Sequence, residues 1–196
     1  MKTPLRFLAV LFAVAVAATG CSSNNQGDSA SPVYLTCDFT LRPAVKNVND
    51  GSLLQFQTTA LNSKLKIPTT NSPGAFLDTQ VDSYWVVWTR IDGGKTASPS
   101  QPFYPGVIVP AGGTSTLSNY PFMTAAALQQ PPLNVLFPFN GGVDPETGNA
   151  EIRQTGTVTF YGHTMSGQPV TSVPAAFDIV FLYSATAGRI VAAPAR

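Results

Sequence analysis

The segment Val33-Tyr34-Leu35-Thr36-Cys37-Asp38-Phe39-Thr40-Leu41 has an apolar residue at every odd position and mostly polar residues at the even ones. A period of two is the pattern of a β-strand with one buried face, because successive side chains of a strand point to opposite sides. This segment therefore predicts a strand over residues 33–41. Cys37 would lie on its buried face, where a cysteine behaves as a small apolar side chain.

The same alternation returns along the rest of the chain and predicts an all-β fold. Segments rich in Gly, Pro, Asn and Asp separate the alternating stretches and are typical of tight turns. Many short strands joined by such turns favour a sandwich or barrel. The further predicted strands are residues 53–61, 81–91, 107–109, 135–139, 152–163 and 177–183, and the turns are 49–51, 92–94, 111–113, 144–148 and 166–168.

One short helix is predicted over residues 121–130. Pro121 suits the first turn of a helix, and the alanine-rich stretch that follows favours helical backbone. Pro131 and Pro132 would end it, because proline cannot continue a helix. The helix belongs to a middle region, residues 98–149, that is longer and less regular than a compact sandwich requires.

The chain contains no linker long enough to divide two domains, so we predict one domain over residues 33–184. Residues 22–32 are rich in Ser and Asn, lack apolar periodicity and are typical of a flexible tether. Residues 185–196 are small and contain proline, and we expect a frayed C-terminal tail.

The weak charge of the chain limits its partners. Charged residues make up 11% of the sequence, against about 25% in an average globular domain. If residues 1–20 are removed, the Lys and Arg count falls from 11 to 9 against 10 acidic residues, and the net charge changes from +1 to −1. A nucleic-acid-binding protein normally carries a basic patch. We therefore predict that nucleic acid is not a partner.

The first residues carry an export signal. Lys2 and Arg6 precede an apolar run over residues 7–18, which is shorter than the roughly 20 residues of a membrane span. The run closes on Ala18-Thr19-Gly20-Cys21, which resembles the lipobox of bacterial lipoproteins. An ordinary secretory signal is the alternative.

The lipoprotein resemblance implies several properties. Residues 1–20 would be a signal peptide, cleaved before Cys21, and Cys21 would be acylated on its sulfur and on the new amino group. Several acyl chains hold a protein durably on a bilayer. Ser22 at the second mature position is compatible with the outer membrane in many lipoproteins, so we expect a lipid-anchored envelope protein there, on the periplasmic face or at the cell surface. Acylation of Cys21 would leave Cys37 without a disulfide partner.

A second resemblance lies near the end of the chain. Thr157-Val158-Thr159-Phe160-Tyr161-Gly162-His163, the turn at 164–168 and Phe177-Asp178-Ile179-Val180-Phe181 resemble the last hairpin of an immunoglobulin-like or fibronectin-type domain. Tyr84-Trp85-Val86-Val87-Trp88 suits the central strand of such a domain. The resemblance implies an immunoglobulin-like antiparallel β-sandwich, although the cysteine pair of antibody domains is absent.

The sequence offers little catalytic chemistry. His163 is the single histidine, which excludes a cluster of histidine metal ligands, and no serine lies in a nucleophile-elbow motif. We therefore predict a protein that is not an enzyme, has no catalytic residues, and needs no metal or cofactor. Asp144, Glu146, Asn149 and Glu151 place oxygen ligands in one loop, which is compatible either with calcium or with an ordinary type I turn.

Contact residues are predicted among the aromatic side chains. Tyr84 and Trp88 share one face of the predicted central strand and would either pack in the core or, if that face is open, bind a sugar or a protein. Tyr104, Tyr120 and Phe122 lie in the proline-rich middle region and are further candidates.

Two functions follow as hypotheses. The first is an accessory or structural subunit of an envelope or surface assembly, held to the membrane by its lipid and acting by contact with an envelope protein. The second is a ligand-binding lipoprotein module, with carbohydrate as the ligand class.

Overall fold

A computed structural model describes residues 31–41, 44–67 and 74–185. The predicted signal peptide, the predicted lipidation site Cys21 and nearly all of the predicted tail lie outside these ranges. The described strands are β1 (Val33–Leu41), β2 (Val45–Asn47), β3 (Leu54–Leu65), β4 (Thr79–Arg90), β5 (Gln101–Phe103), β6 (Val107–Val109), β7 (Thr114–Met123), β8 (Glu151–Thr164), β9 (Pro169–Thr171) and β10 (Ala175–Leu182). One α-helix, α1 (Ala125–Leu128), and 3₁₀ helices at Ala75–Leu77, Leu133–Leu136 and Pro138–Asn140 complete the described elements.

The strands form two sheets, and the predicted β-rich fold is confirmed. The smaller sheet has the order β1-β3-β7, and the larger sheet has the order β2-β10-β8-β4-β5, with β6 beside β4 and β9 beside β8. β2 runs parallel to β10, whereas β4 and β8 form a long antiparallel pair. In the ranges that the structure describes, no helix is long and apolar enough to cross a membrane.

The domain has two ends, defined by the β4–β8 pair. At the N-terminal pole, β1 starts beside the end of β3, and Thr79 at the start of β4 pairs with Thr164 at the end of β8. At the opposite pole, Arg90 at the end of β4 pairs with Gln154 near the start of β8.

Aromatic rings join the two sheets. Phe177 on β10 contacts Phe39, Phe56 and Phe122 of the smaller sheet, with ring centroids 5.6, 5.2 and 5.0 Å apart. Trp88 on β4 contacts Phe177 edge to face at 5.6 Å. Such pairs contribute about 0.5–1.5 kcal/mol each beyond the area they bury. The core is therefore centred on the buried faces of β4 and β10.

Two glycines of β8 are required by close packing. A Cβ at Gly156 would lie 2.7 Å from the ring of Phe177 and 3.0 Å from that of Trp88. A Cβ at Gly162 would lie 2.0 Å from the carbonyl oxygen of Gln80, beside the irregular β4–β8 pairing near Asp82. The lack of a side chain at these positions lets β8 approach both the core and β4.

Two predictions about the middle region are wrong. Residues 135–139, predicted as a strand, instead cover the end of one 3₁₀ helix, the connecting residue Phe137 and the start of a second 3₁₀ helix. Pro131, Pro132 and Pro138 explain this, because proline lacks the N–H that a strand ladder needs.

The predicted helix over residues 121–130 is much shorter than expected. Pro121 pairs with Gln55 at the end of β7, and Met123 pairs with Leu54, so the strand continues to that point. The helix starts only after Thr124, whose hydroxyl accepts a hydrogen bond from the Ala127 N–H at 3.3 Å. Thr124 is thus the N-cap that limits the helix.

The remaining strands and termini differ from prediction in detail. The predicted last hairpin is present, but its returning strand is split into β9 and β10, both paired with β8. Strands β2, β5, β7 and β9 were not predicted. Ser31, which was predicted to belong to the tether, is buried, and its hydroxyl accepts a hydrogen bond from the Val33 N–H at 3.2 Å.

Candidate contact face

Strand β4 presents two aromatic faces, and the structure separates them. From Tyr84 onward, buried and exposed side chains alternate to the end of the strand. The smaller sheet covers the side that carries Tyr84, Val86 and Trp88. The opposite side faces outward. The two faces of this strand therefore have different roles.

On the inner face, two residues that were predicted to make contacts with a partner are buried instead. Tyr84 is 1% exposed and Trp88 is 4% exposed, so neither side chain is available to a partner of the folded domain. The hydroxyl of Tyr84 donates a hydrogen bond to the Pro121 carbonyl. Burial, assisted by the nearby Tyr120, raises the pKa of Tyr84 above its usual value. Of the two alternatives for this face, core packing is the one found.

The aromatic residues of the middle region also differ in whether they are buried or exposed. Phe122 is fully buried between the sheets, which corrects its assignment as a contact residue. Tyr120 is half-buried, and its hydroxyl donates to the Pro105 carbonyl at 3.3 Å. Tyr104 is largely exposed. Of the five predicted contact residues, Tyr104 alone has most of its side chain at the surface.

The outer side of the larger sheet holds a site that sequence reasoning missed. Trp85 is 43% exposed, Tyr161 is 41% exposed, and Val87 is exposed to a similar degree. Trp85 lies opposite Thr159 on β8, and Tyr161 lies two residues further along that strand. The two residues are thus diagonal neighbours, about 7–8 Å apart. We call this surface the outer aromatic face, formed by Trp85, Val87, Thr157, Thr159, Tyr161 and Thr171.

A shallow concavity extends the outer aromatic face toward the edge of the sheet. It has a volume of about 250 Å³ and is lined by Thr159, Tyr161, Thr171, Ser172 and Pro174. An aromatic ring beside hydroxyl groups can make both apolar and hydrogen-bonding contacts. The arrangement suits a small polar ligand as well as a protein side chain.

An exposed histidine–carboxylate hydrogen bond borders this face at the N-terminal pole. His163 Nδ1 lies 2.9 Å from Asp82 Oδ2, and both side chains are about half exposed. A carboxylate can orient a histidine for proton transfer, but a triad also requires a nucleophile on the other ring nitrogen. Within the described ranges, the hydrogen bond of the His163 ring is the one to Asp82.

In the acidic loop at residues 144–151, the carboxylate of Asp144 is directed into the domain, toward Arg90. The carboxylate of Asp144 accepts hydrogen bonds from Arg90 Nη2 at 2.6 Å and from the Thr147 hydroxyl at 2.8 Å. Asp92 accepts from Arg90 Nε at 2.7 Å and from the Arg153 N–H at 2.8 Å. Burial opposes ionisation of Asp92, but these bonds outweigh it and lower its pKa to about 2. The three side chains form a buried ion cluster.

The other carboxylates of the loop point to different partners. Glu146 accepts hydrogen bonds from the hydroxyl and N–H of Thr96, and its pKa is lowered to about 2. Glu151 pairs with Arg153 at 2.6 Å. Among the residues with described positions, no group of three or more potential ligands could hold a metal ion. The carboxylates of the loop thus make the hydrogen bonds and ion pairs of a structural turn, with Asp144, Glu146 and Glu151 each bound to a different partner.

Cys37 is buried on the inner face of β1, as predicted. Burial raises the pKa of its thiol, and the neighbouring charge of Asp38 adds to the effect. The thiolate, which is the reactive form, is therefore disfavoured.

Searches against family models, curated proteins and solved structures returned no match for this chain.

Proposed function

We propose that this chain is a lipid-anchored protein of the bacterial cell envelope whose immunoglobulin-like domain acts by protein contact and not by catalysis. The lipid would be carried by Cys21, with the outer membrane as the site of anchoring. The outer aromatic face would bind the partner.

The strand order supports the immunoglobulin-like part of the proposal. In that fold one sheet contains strands A, B and E, and the other contains G, F and C, with C′ beside C in variable-type domains. The orders β1-β3-β7 and β10-β8-β4-β5 correspond to these arrangements. Trp88 is buried on β4 and would correspond to the buried tryptophan on strand C. In the described core the two sheets are linked by ring contacts such as Phe56 with Phe177, and Cys37 is free.

The observation that carries the contact function is the exposure of Trp85, Val87 and Tyr161 side by side on paired strands. Large apolar side chains that converge on one rigid surface are typical of binding sites. Polar groups surround this centre: the Asp82–His163 pair at one end and the Thr155–Asp178 hydrogen bond, 2.6 Å long, at the other. An apolar centre with a polar rim is the usual anatomy of a protein interface.

Site-specific photocrosslinking in cells tests this proposal. A photoreactive amino acid at Val87 should give an adduct of fixed mass with one envelope protein, which mass spectrometry would identify. The matched control is the same amino acid at Thr116, an exposed position on the outer side of the smaller sheet. Trp85→Ala should remove the Val87 adduct without altering the fold. Equal adducts from both positions, or none from Val87, would contradict the assignment of this face.

A carbohydrate ligand is the second candidate, and the concavity beside Tyr161 favours it. Aromatic rings and hydroxyl groups together are a combination that suits sugar rings. Titration with a panel of glycans should change the fluorescence of Trp85, and Trp85→Phe should abolish the change. The absence of any response across the panel would eliminate this candidate.

A further inference from the structure

The N-terminal pole carries exposed apolar side chains that the outer aromatic face does not explain. Phe76 is 61% exposed and Met165 is 54% exposed. Two backbone hydrogen bonds join their segments: Met165 N–H to the Asp78 carbonyl at 2.8 Å and Ser166 N–H to the Phe76 carbonyl at 3.0 Å. Both side chains therefore lie on one rim of the pole.

Further side chains of the same pole have interfacial character. Ile67 and Tyr34 are exposed, and the ammonium of Lys66 lies 5.0 Å from the centre of the Tyr34 ring. Tyrosine and lysine commonly occupy the boundary between lipid and water, because each combines an apolar part with a polar end. The pole thus combines the exposed apolar side chains of Phe76 and Met165 with the amphipathic side chains of Tyr34 and Lys66.

We propose that the N-terminal pole rests on the lipid bilayer and inserts Phe76 and Met165 into its interfacial region. This inference rests on the lipid anchor of the proposed function, and it assigns the orientation of the domain. The occupant of the surface is the bilayer that holds the acyl chains of Cys21.

The length of chain before the domain selects this orientation over the inverted one. Ser31 is ten positions after Cys21, so the two residues are at most about 35 Å apart. β8 contains 14 residues and spans about 45 Å from one pole to the other. If the opposite pole lay on the bilayer, Ser31 would be about 45 Å from the membrane, which is beyond the reach of the chain. The N-terminal pole is therefore the end that the anchor keeps near lipid.

Charge makes a small contribution to this contact. Lys64 and Lys66 are offset by Asp78 and by Asp82, which pairs with His163. Contact should accordingly depend on the apolar side chains and persist at high salt, since salt screens only the electrostatic part.

Quenching by brominated lipids tests the orientation. The full acylated protein would be reconstituted in phosphatidylcholine and phosphatidylglycerol vesicles whose acyl chains carry bromine, which quenches tryptophan at short range. The variants are Phe76→Trp at the N-terminal pole and, as a matched control, Phe139→Trp at the opposite pole, where the native side chain is 80% exposed. Far-ultraviolet circular dichroism would verify that both variants fold.

The expected result is quenching of the added tryptophan in Phe76→Trp that is several-fold stronger than in Phe139→Trp, at low and at high salt. Equal quenching of the two variants would overturn the proposal. Strong quenching of the wild type would also overturn it, since Trp85 would then lie on lipid and the domain would rest on its outer aromatic face.

The proposal of a lipid anchor and the proposal of this orientation can be contradicted independently of each other. The intact mass of the same samples shows whether Cys21 is acylated. If it is not, the lipid-anchor proposal is wrong, and the orientation remains measurable by coupling the Cys21 thiol of the mature chain to vesicles with a maleimide headgroup. Buried Cys37 should not compete for that coupling.

Discussion

The two faces of β4 have similar compositions but opposite environments. Tyr84 and Trp88 on the inner face are packed among phenylalanine rings, whereas Trp85 and Val87 on the outer face remain exposed. The difference arises from what covers each side: the smaller sheet covers the inner face, and no described element covers Trp85. An aromatic residue in a central strand is therefore a core residue or a contact residue according to its side, and the two kinds should respond differently to substitution.

Trp88→Ala should have the largest effect on stability. The change would empty a space bounded by Phe122, Phe177 and Phe181, and truncation of a buried tryptophan costs about 3–5 kcal/mol in the free energy of unfolding. Urea denaturation followed by circular dichroism measures it. Trp85→Ala, on the outer face of the same strand, is the control and should cost less than about 1 kcal/mol. Similar losses in the two variants would refute the distinction between the faces.

Arg90→Ala should lower the free energy of unfolding nearly as much as Trp88→Ala, although Arg90 is charged. Arg90 continues the buried side of β4, and its removal would leave Asp92 and Asp144 buried without their cation. Breaking such a group costs about 3 kcal/mol or more. Arg153→Ala, which removes an exposed pair with Glu151, should change the unfolding free energy by less than about 1 kcal/mol. An Arg90→Ala protein as stable as Arg153→Ala would show that the cluster does not stabilise the domain.

Acidic pH should weaken the buried ion cluster of Arg90, Asp92 and Asp144. The pKa of Asp92 is lowered to about 2 in the folded protein, against about 3.9 in an unfolded chain. A carboxyl group whose pKa is lowered by folding stabilises the folded protein at pH values above its unfolded-state pKa. This stabilisation is lost as the pH falls through its folded-state pKa. We expect a loss of about 2 kcal/mol between pH 4 and pH 2 from this group. In urea titrations across that range, the stability difference between wild type and Asp92→Asn should shrink. A constant difference would exclude Asp92 as the source.

His163→Gln should have the smallest effect. Its hydrogen bond with Asp82 is half exposed, and exposed polar pairs of this kind contribute about 0–1 kcal/mol. Thermal unfolding should therefore be almost unchanged, while the Val87 photocrosslink to the partner should persist or weaken only slightly. A loss of stability comparable to that of Arg90→Ala would mean that this pair is part of the structural framework and not of the rim.

Part of the candidate site could have been found from β8 alone. Thr155, Thr157, Thr159 and Tyr161 alternate with Gly156, Val158 and Phe160, so the threonine side of this strand is the better candidate for the surface. The residue of β4 that shares that side depends on the register between strands, in which Trp85 lies opposite Thr159. That register is a long-range contact, and local periodicity does not contain it.

The sequence by itself determined that the chain is rich in β-strands, where most of its long strands lie, and that Cys37 is buried. These properties follow from the period-two alternation and from turn residues, which act locally. The tertiary structure decided which aromatic face of β4 is covered, since that depends on where the second sheet packs. It also decided that the acidic loop is held by Arg90, because those side chains are 54 residues apart and meet only when the strands fold together.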